Sequence, residues 1–279
     1  MTRPIIFLSD YGLDDEFVGI CHGVIARLAP DTHVIDLSHG IPRADVRAGA
    51  LRLAAARPYM PPDSVYLAVV DPGVGTARRA IAVEDPDGFH GVGPDNGLLS
   101  QLWTGPPARA VEITSEEVVL RPASATFHGR DVFAPAAAHL ALERPILELG
   151  PQIPVESLVR IEVPRAVVGE RVSCEVLSVD RFGNVQLAAR PEDDPALERA
   201  SRVVVARGGR EWAVARARTF GEVAQGEPLL IVDSSGRLSL TVNGGSAAEA
   251  FGLRPGDRVE LRPAGGGLTR EATSGSPDR

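Results

Sequence analysis

The sequence predicts a layered α/β domain with a largely parallel sheet, followed by a smaller all-β domain. Three observations predict it. Over roughly the first 160 residues, short apolar runs alternate with helical patterns, as expected where strands are buried on both faces by helices. From about Ala166 the runs become short β-type segments punctuated by Gly, Asp and Asn, which suits a small antiparallel sheet or barrel. Between them lies a Pro-containing stretch, Ile153–Arg165, that reads as a linker. The domains expected are 1–160 and 166–264. Residues 265–279, rich in Gly, Ser and Pro, read as a frayed tail.

In chain order, Ile5–Leu8 is a continuous apolar run and reads as a buried strand. Glu16–Leu28 carries apolar residues at helical spacing and stops before Pro30. A strand at His33–Leu37, a helix at Val46–Ala56 and a strand at Val65–Val70 complete two crossover units. Further strands are expected at Ala80–Val83 and Ala110–Ile113, and a helix from about Arg130 to Leu142. In the second region the β segments are Val172–Val179, Asn184–Ala188, Val203–Ala206, Glu211–Ala217, Pro228–Val232, Leu238–Val242 and Arg258–Leu261. Only Ala247–Phe251 there has helical character. No internal repeat is present.

Composition removes several function classes. All 29 basic side chains are arginine and none is lysine, which excludes a Schiff base, a pyridoxal-phosphate anchor, a lysine general base and the lysine of a phosphate-binding P-loop. The formal net charge of −8 and the absence of an arginine-rich stripe argue against nucleic acid as a partner. Cys21 and Cys174 are too few and too scattered for a disulfide framework or a zinc site and read as buried, reduced thiols. Pro4–Leu8 is too short for a signal segment, and no apolar run approaches the ~18 residues of a membrane span. A soluble cytoplasmic protein with no membrane partner is expected.

In open α/β sheets ligands lie beyond the carboxyl ends of strands. Asp10 and Asp71 stand there, each directly after an apolar run, although an Asp in that place also starts turns and caps helices. Around Asp71, Pro72, Gly73 and Gly75 shape a backbone that can approach a ligand closely. Gly91-Val92-Gly93-Pro94 superficially evokes a dinucleotide fingerprint, but its spacing is wrong and Pro94 removes an amide donor. The only three asparagines, Asn96, Asn184 and Asn243, each adjoin glycine. Turn chemistry accounts for that equally well at Asn243, whereas Asn184 opens a strand and its amide suits the donor–acceptor edge of a purine. Of six histidines, His22 and His139 fall inside helical patterns, and His33, His39 and His90 have no second ligand at metal-type spacing. His128 stands at a helix entry, within Thr126-Phe127-His128-Gly129-Arg130-Asp131, where exposed amides favour negative charge.

Six separated segments, taken in order, give the sequence a specific resemblance. They are Leu8-Ser9-Asp10-Tyr11-Gly12, Val70-Asp71-Pro72-Gly73-Val74-Gly75-Thr76 with Arg78, Gly93-Pro94-Asp95-Asn96-Gly97, Phe127-His128-Gly129-Arg130-Asp131, Asp180-Arg181-Phe182-Gly183-Asn184 and Asp233-Ser234-Ser235-Gly236. With them, residues 3–262 resemble the S-adenosylmethionine hydroxide adenosyltransferases, relatives of the fluorinating and chlorinating enzymes that use the same substrate. The resemblance implies an N-terminal α/β domain, a C-terminal antiparallel β-barrel, and a homotrimer whose sites lie between the N-terminal domain of one subunit and the C-terminal domain of its neighbour. It also implies the reaction: water attacks ribose C5′ of S-adenosylmethionine and displaces methionine, leaving adenosine.

The family's catalytic Asp–Arg–His set falls on Asp71, Arg78 and His128. By the same resemblance Asp10 accepts the ribose hydroxyls, Asp180 faces the methionine ammonium, and Phe182 packs on the ligand. Asn184 reads adenine, backbone near Asn243 completes that subsite, and Ser234 binds the methionine end. S-Adenosylmethionine is then the substrate, with no cofactor and no metal. Halogenating relatives carry an aromatic residue where Asp71 stands and lack the histidine at 128, and the fluorinating branch has a halide-binding serine where this chain has Gly129. Ser235 departs from the pattern, since those relatives have an arginine there for the methionine carboxylate; Arg237, two residues along a strand, would point to the opposite face. A chloride-using halogenase and a non-catalytic adenosine-binding or S-adenosylmethionine-binding module are the competing readings.

Overall fold

The structure, a computed structural model, describes residues 2–103 and 105–264, so the tail expected over 265–279 lies outside the described residues. The chain divides into two compact units between Glu162 and Val163. Among the described residues no helix is long and apolar enough to cross a membrane.

The first unit is built on a seven-stranded sheet. Its strands are β1 (Ile5–Ser9), β2 (Val34–Ser38), β3 (Val65–Val69), β4 (Ala80–Glu84), β5 (His90–Pro94), β6 (Arg109–Glu112) and β7 (Gln152–Ile153), in the order β2-β1-β3-β5-β4-β6-β7. The four strands from β2 to β5 are parallel, whereas β4, β6 and β7 join antiparallel, so the sheet is mixed. Helices α1 (Phe17–Leu28) and α3 (Ala134–Ala141) cover one face, and α2 (Val46–Ala56) the other.

Side-chain alternation explains the two layers. Ile5, Phe7, Val65, Leu67 and Val69 point into the cluster shared with α1 and α3, while Ile6, Leu8, Tyr66, Ala68 and Val70 point into that shared with α2. Every residue of β1 and β3 is buried, which is why each reads as an unbroken apolar run.

Strand β5 carries no such signal, because two of its five residues are glycine and one is proline. Packing demands them: a Cβ on Gly93 would collide with the carbonyl oxygen of Ala68 on the neighbouring strand. The two-residue β7, at the start of the Pro-containing stretch, likewise carries no strand signal.

The second unit contains β8 (Val167–Val168), β9 (Val172–Val179), β10 (Val185–Leu187), β11 (Arg202–Arg207), β12 (Arg210–Arg216), β13 (Pro228–Val232), β14 (Leu238–Val242) and β15 (Arg258–Pro263). Pairing runs β10-β14-β13-β12-β11-β15-β9 and closes because β9 also pairs with β10; β8 adds to β9 outside the ring. The result is a closed seven-stranded barrel, antiparallel except at β12–β13. Closure removes the exposed edges that an open sheet of these strands would leave. Two short helices, α4 (Pro195–Arg199) and α5 (Ala247–Phe251), lie between strands. Cys21 and Cys174 are free and buried, and burial pushes both thiols up to about 12.

Candidate active site

The chain leaves β1 toward β2 on one side and returns in β3 on the other, with α1 and α2 on opposite faces. The ends of β1 and β3 therefore flank a topological switch point, the place where open α/β sheets bind their ligands. β1 and β3 are parallel and in register, Ser9 opposite Val69, so Asp10 and Asp71 follow the ends of adjacent strands, offset by one position. The Asp10 amide still donates to the Val69 carbonyl at 3.3 Å, and its Oδ2 accepts from the Ala44 amide at 2.9 Å. Ala44 is held at φ 63°, a conformation rare for a residue with a side chain, in the loop that leads into α2.

Asp71, Arg78 and His128 form one connected group. Arg78 Nε donates to both Asp71 oxygens at 3.0 Å, Nη2 donates to Oδ2, and the same Nη2 lies 2.8 Å from His128 Nδ1. The Arg78 and Asp71 side chains are nearly buried, 10% and 5% exposed. Because a guanidinium can only donate, Nδ1 of His128 accepts, which places the proton of the neutral ring on Nε2. Burial, and then Arg78, hold the His128 pKa below the ordinary histidine value, so the ring stays neutral. The loop from Asp71 to Arg78 needs its glycines: Gly75 has φ 77°, and a Cβ there would strike the Ala125 carbonyl oxygen. Asn96 secures the strand end above it, donating to the Val70 carbonyl at 2.8 Å.

His128 directly precedes a single π-turn, Gly129–Phe133, that runs into α3. Such turns occur frequently at functional sites. Gly129 is buried, and a Cβ added to it would collide with the Tyr11 hydroxyl. The Tyr11 ring is packed edge-on to Phe127, at 5.9 Å between centroids, and beside Phe17 at 5.7 Å. Tyr11 entered the sequence reading only as part of a motif. Its signal was its place, one residue beyond a strand-end aspartate.

A second polar group, invisible in the spacing, supports Asp10 from below. His22 Nε2 and His39 Nε2 both meet Asp36 Oδ1, at 2.8 and 3.0 Å, and His39 Nδ1 meets the buried Ser9 hydroxyl at 2.8 Å. The sequence offered His39 no second ligand, yet these three side chains place ligand atoms within 4.8 Å of one another. Proton counting satisfies the whole set without a cation. Ser9 Oγ accepts from the Tyr11 amide at 3.3 Å and gives its hydrogen to Nδ1, so both Nε2–H groups donate to Asp36. The relay thus fixes the backbone that carries Asp10 and Tyr11.

In the barrel unit, Asp180 organises a tight loop. Its Oδ1 accepts from the amides of Phe182 and Asn184, both at 2.9 Å, and its Oδ2 accepts from Asn184 Nδ2 at 2.8 Å. Asn184 keeps its carbonyl oxygen and one amide hydrogen free of this bond, the pair an adenine edge requires. Phe182 is 71% exposed, an unusual position for a large apolar ring unless something covers it.

Since Val185 pairs with Leu240, the 180–184 loop lies at the same end of the β10–β14 ladder as Asn243, which donates to the Val223 carbonyl at 3.0 Å. Ser234 is exposed in the β13–β14 turn, at the other end of that ladder. The structure therefore groups Asp180, Phe182, Asn184 and Asn243 but not Ser234. Arg237 is half-buried with its amide donating to Asp233 Oδ1 at 3.0 Å, and desolvation lowers its guanidinium pKa.

An α/β unit with an Asp–Arg–His group at its switch point, followed by a closed seven-stranded barrel, defines the class. Residues 5–150 match the S-adenosylmethionine hydroxide adenosyltransferase N-terminal domain family and residues 174–260 its C-terminal domain family, and the chain belongs to this family. It is 52% identical over 263 residues to an (R)-S-adenosyl-L-methionine hydrolase of Salinispora tropica, covering 93% of this chain and 98% of that protein. A protein of the same name from Thermus thermophilus is 46% identical, at 93% and 99% coverage. A fluorinase of Actinopolyspora mzabensis is more distant, at 28% identity with 93% and 97% coverage. The fold is similar to the crystal structure of an uncharacterized conserved protein from Thermotoga maritima, with TM-score 0.87, 37% identity, and 92% and 99% coverage.

Proposed function

We propose that this protein hydrolyses S-adenosyl-L-methionine to adenosine and L-methionine by attack of a positioned water on ribose C5′. The observation that carries the reading is Arg78 bridging Asp71 and His128 at the switch point of the sheet. The names of the similar hydrolases support it.

The leaving group is a sulfonium. When the water oxygen bonds to C5′, the C5′–S pair returns to sulfur as a neutral thioether, so no acid has to protonate it. What remains is to align and desolvate one water and to accept one proton. Arg78 cannot accept it, and His128 Nδ1 is engaged by Arg78 while Nε2 already bears hydrogen. Asp71 is then the acceptor, since its Oδ1 receives only the Arg78 Nε–H and keeps a lone pair. His128 Nε2–H orients the water as a donor. Asp10 takes the ribose hydroxyls, Asn184 the adenine edge and Asp180 the methionine ammonium; Phe182 packs on the ligand, backbone near Asn243 completes the adenine subsite, and Ser234 meets the methionine end.

The same reading includes a homotrimer, a cytoplasmic location, and turnover without metal or cofactor. Purified protein incubated with S-adenosylmethionine, with and without chloride, tests the chemistry through its nucleoside product. Adenosine is expected under both conditions. 5′-Chloro-5′-deoxyadenosine would make it a halogenase, and unchanged substrate with retained ligand a binding module. Light scattering tests the trimer.

A further inference from the structure

We propose that Tyr11 is the specificity-determining residue of the nucleophile subsite, reserving the space beside Gly129 for water and excluding a halide. This rests on the hydrolase reading and extends it to a residue outside the Asp–Arg–His group.

Three observations carry it. First, Tyr11 and residue 129 compete for one volume: a Cβ on Gly129 would collide with the hydroxyl and lie 3.0 Å from Cζ and 3.2 Å from Cε2. With the phenol where it stands, the place of a side chain at 129, immediately next to His128, is taken, and any larger residue there requires the ring to move. Second, the ring is held by aromatic packing. Phe17 and Phe127 pack on it, and these two contact each other edge-on at 5.1 Å. Third, among the described residues no protein group hydrogen-bonds the hydroxyl, although the amide of Tyr11 is tied to Ser9.

The phenol is also held in its neutral, donating form. Burial first, and then the neighbouring acidic groups Cys21, Asp10 and Asp71, push its pKa up, against a smaller opposing effect of Arg78. A protonated hydroxyl near two carboxylates offers a water both a donor and an acceptor. A chloride could use only the donor, and would have to sit against Asp71. Water attack forms O–C5′, breaks C5′–S and delivers a proton to Asp71; chloride attack forms Cl–C5′, breaks the same bond and releases no proton. The site favours the first because it provides the acceptor and fills the anion's space.

The experiment compares Tyr11→Phe, Tyr11→Leu, Gly129→Ser and the Tyr11→Leu/Gly129→Ser pair in the full chain. Tyr11→Phe keeps the ring and its packing, so kcat for adenosine should fall about tenfold or more with KM within about threefold, as for removal of one positioned donor. Gly129→Ser should lower Tm in the wild-type background and much less in Tyr11→Leu, since the leucine vacates the contested volume. With chloride, the double variant should release 5′-chloro-5′-deoxyadenosine and the wild type none. Unchanged kcat in Tyr11→Phe, additive Tm effects, or a double variant that makes adenosine alone would each overturn the proposal. Failure of the hydrolase reading shows separately, as a wild type that yields no adenosine. The Tm comparison does not depend on turnover and tests the Tyr11–Gly129 contact in either case.

Discussion

Replacing Asp71 with asparagine keeps the shape of the side chain and removes one acceptor oxygen. In the native site both oxygens receive hydrogens from Arg78, so the asparagine must turn an NH2 toward a guanidinium that can only donate. Arg78, only 10% exposed, is left without its countercharge. Breaking such a pair costs about 3–5 kcal/mol of stability, an upper value here because neither side chain is wholly buried. Catalysis loses its proton acceptor, about 10²–10⁴-fold in kcat, which is about 3–5 kcal/mol in the barrier. KM should move only a few-fold, because in the proposed mechanism Asp71 meets the water and not the nucleoside. Steady-state adenosine release, with thermal unfolding as a control for folding, measures both effects. A folded Asp71→Asn protein retaining more than about a tenth of wild-type kcat would refute the assignment of Asp71 as acceptor.

Other perturbations separate the remaining roles. Arg78→Lys keeps a charge near Asp71 but not the fork that also reaches His128, so kcat should fall about 10²-fold with a folded protein. Protonation of His128 would set a second cation against Arg78. Since its pKa lies below the usual ~6.5, kcat/KM should hold through pH 6.5 and fall only on further acidification, and an acid limb above that value would contradict the neutral-ring assignment. His90, buried and accepting from Arg3, has its pKa pushed down to about 4, first by burial and then by Arg3. The unfolded chain then binds the extra proton between pH ~6.5 and 4, so stability should decline across that window by on the order of 3 kcal/mol. His90→Asn, which keeps an acceptor for Arg3, should flatten the decline in denaturant titrations. Activity should survive a chelator; its loss, restored by a divalent ion, would turn the His22–Asp36–His39 cluster into a metal site.

The strands that the sequence exposed most clearly are those whose neighbours bury both faces, β1 and β3, because burial there leaves apolar side chains at nearly every position, Ser9 at the end of β1 excepted. β5 stayed hidden for the converse reason: backbone proximity at Gly93 overrode side-chain preference. The site divides along the same line. Asp10 and Asp71 were legible from their places at strand ends, and Arg78 and His128 from the motifs beside them. The His22–Asp36–His39–Ser9 relay was not, since it joins α1, β2 and β1 through contacts that no local spacing encodes. Tyr11 shows an intermediate case. Its position was in plain view, but its effect on residue 129 is a relation across 118 positions of chain that only the folded backbone creates.

The absence of lysine now bears on how this site divides its labour. A lysine in place of Arg78 would be a point charge that can lose its proton, and its pKa would fall on burial. An arginine stays charged throughout the working pH range, and its contacts to Asp71 and His128 fix the tautomer of the ring. In the proposed mechanism that permanence takes His128 out of contention as the base and leaves the carboxylate. A carboxylate is a weak base at neutral pH, adequate only because the sulfonium departs without help and the water need not be fully deprotonated before it attacks. The chemistry of the leaving group and the rigidity of the arginine thus explain each other. With a leaving group that needed protonation, the same three residues would lack an acid, because the one ring hydrogen available belongs to a histidine whose protonated form the neighbouring guanidinium disfavours.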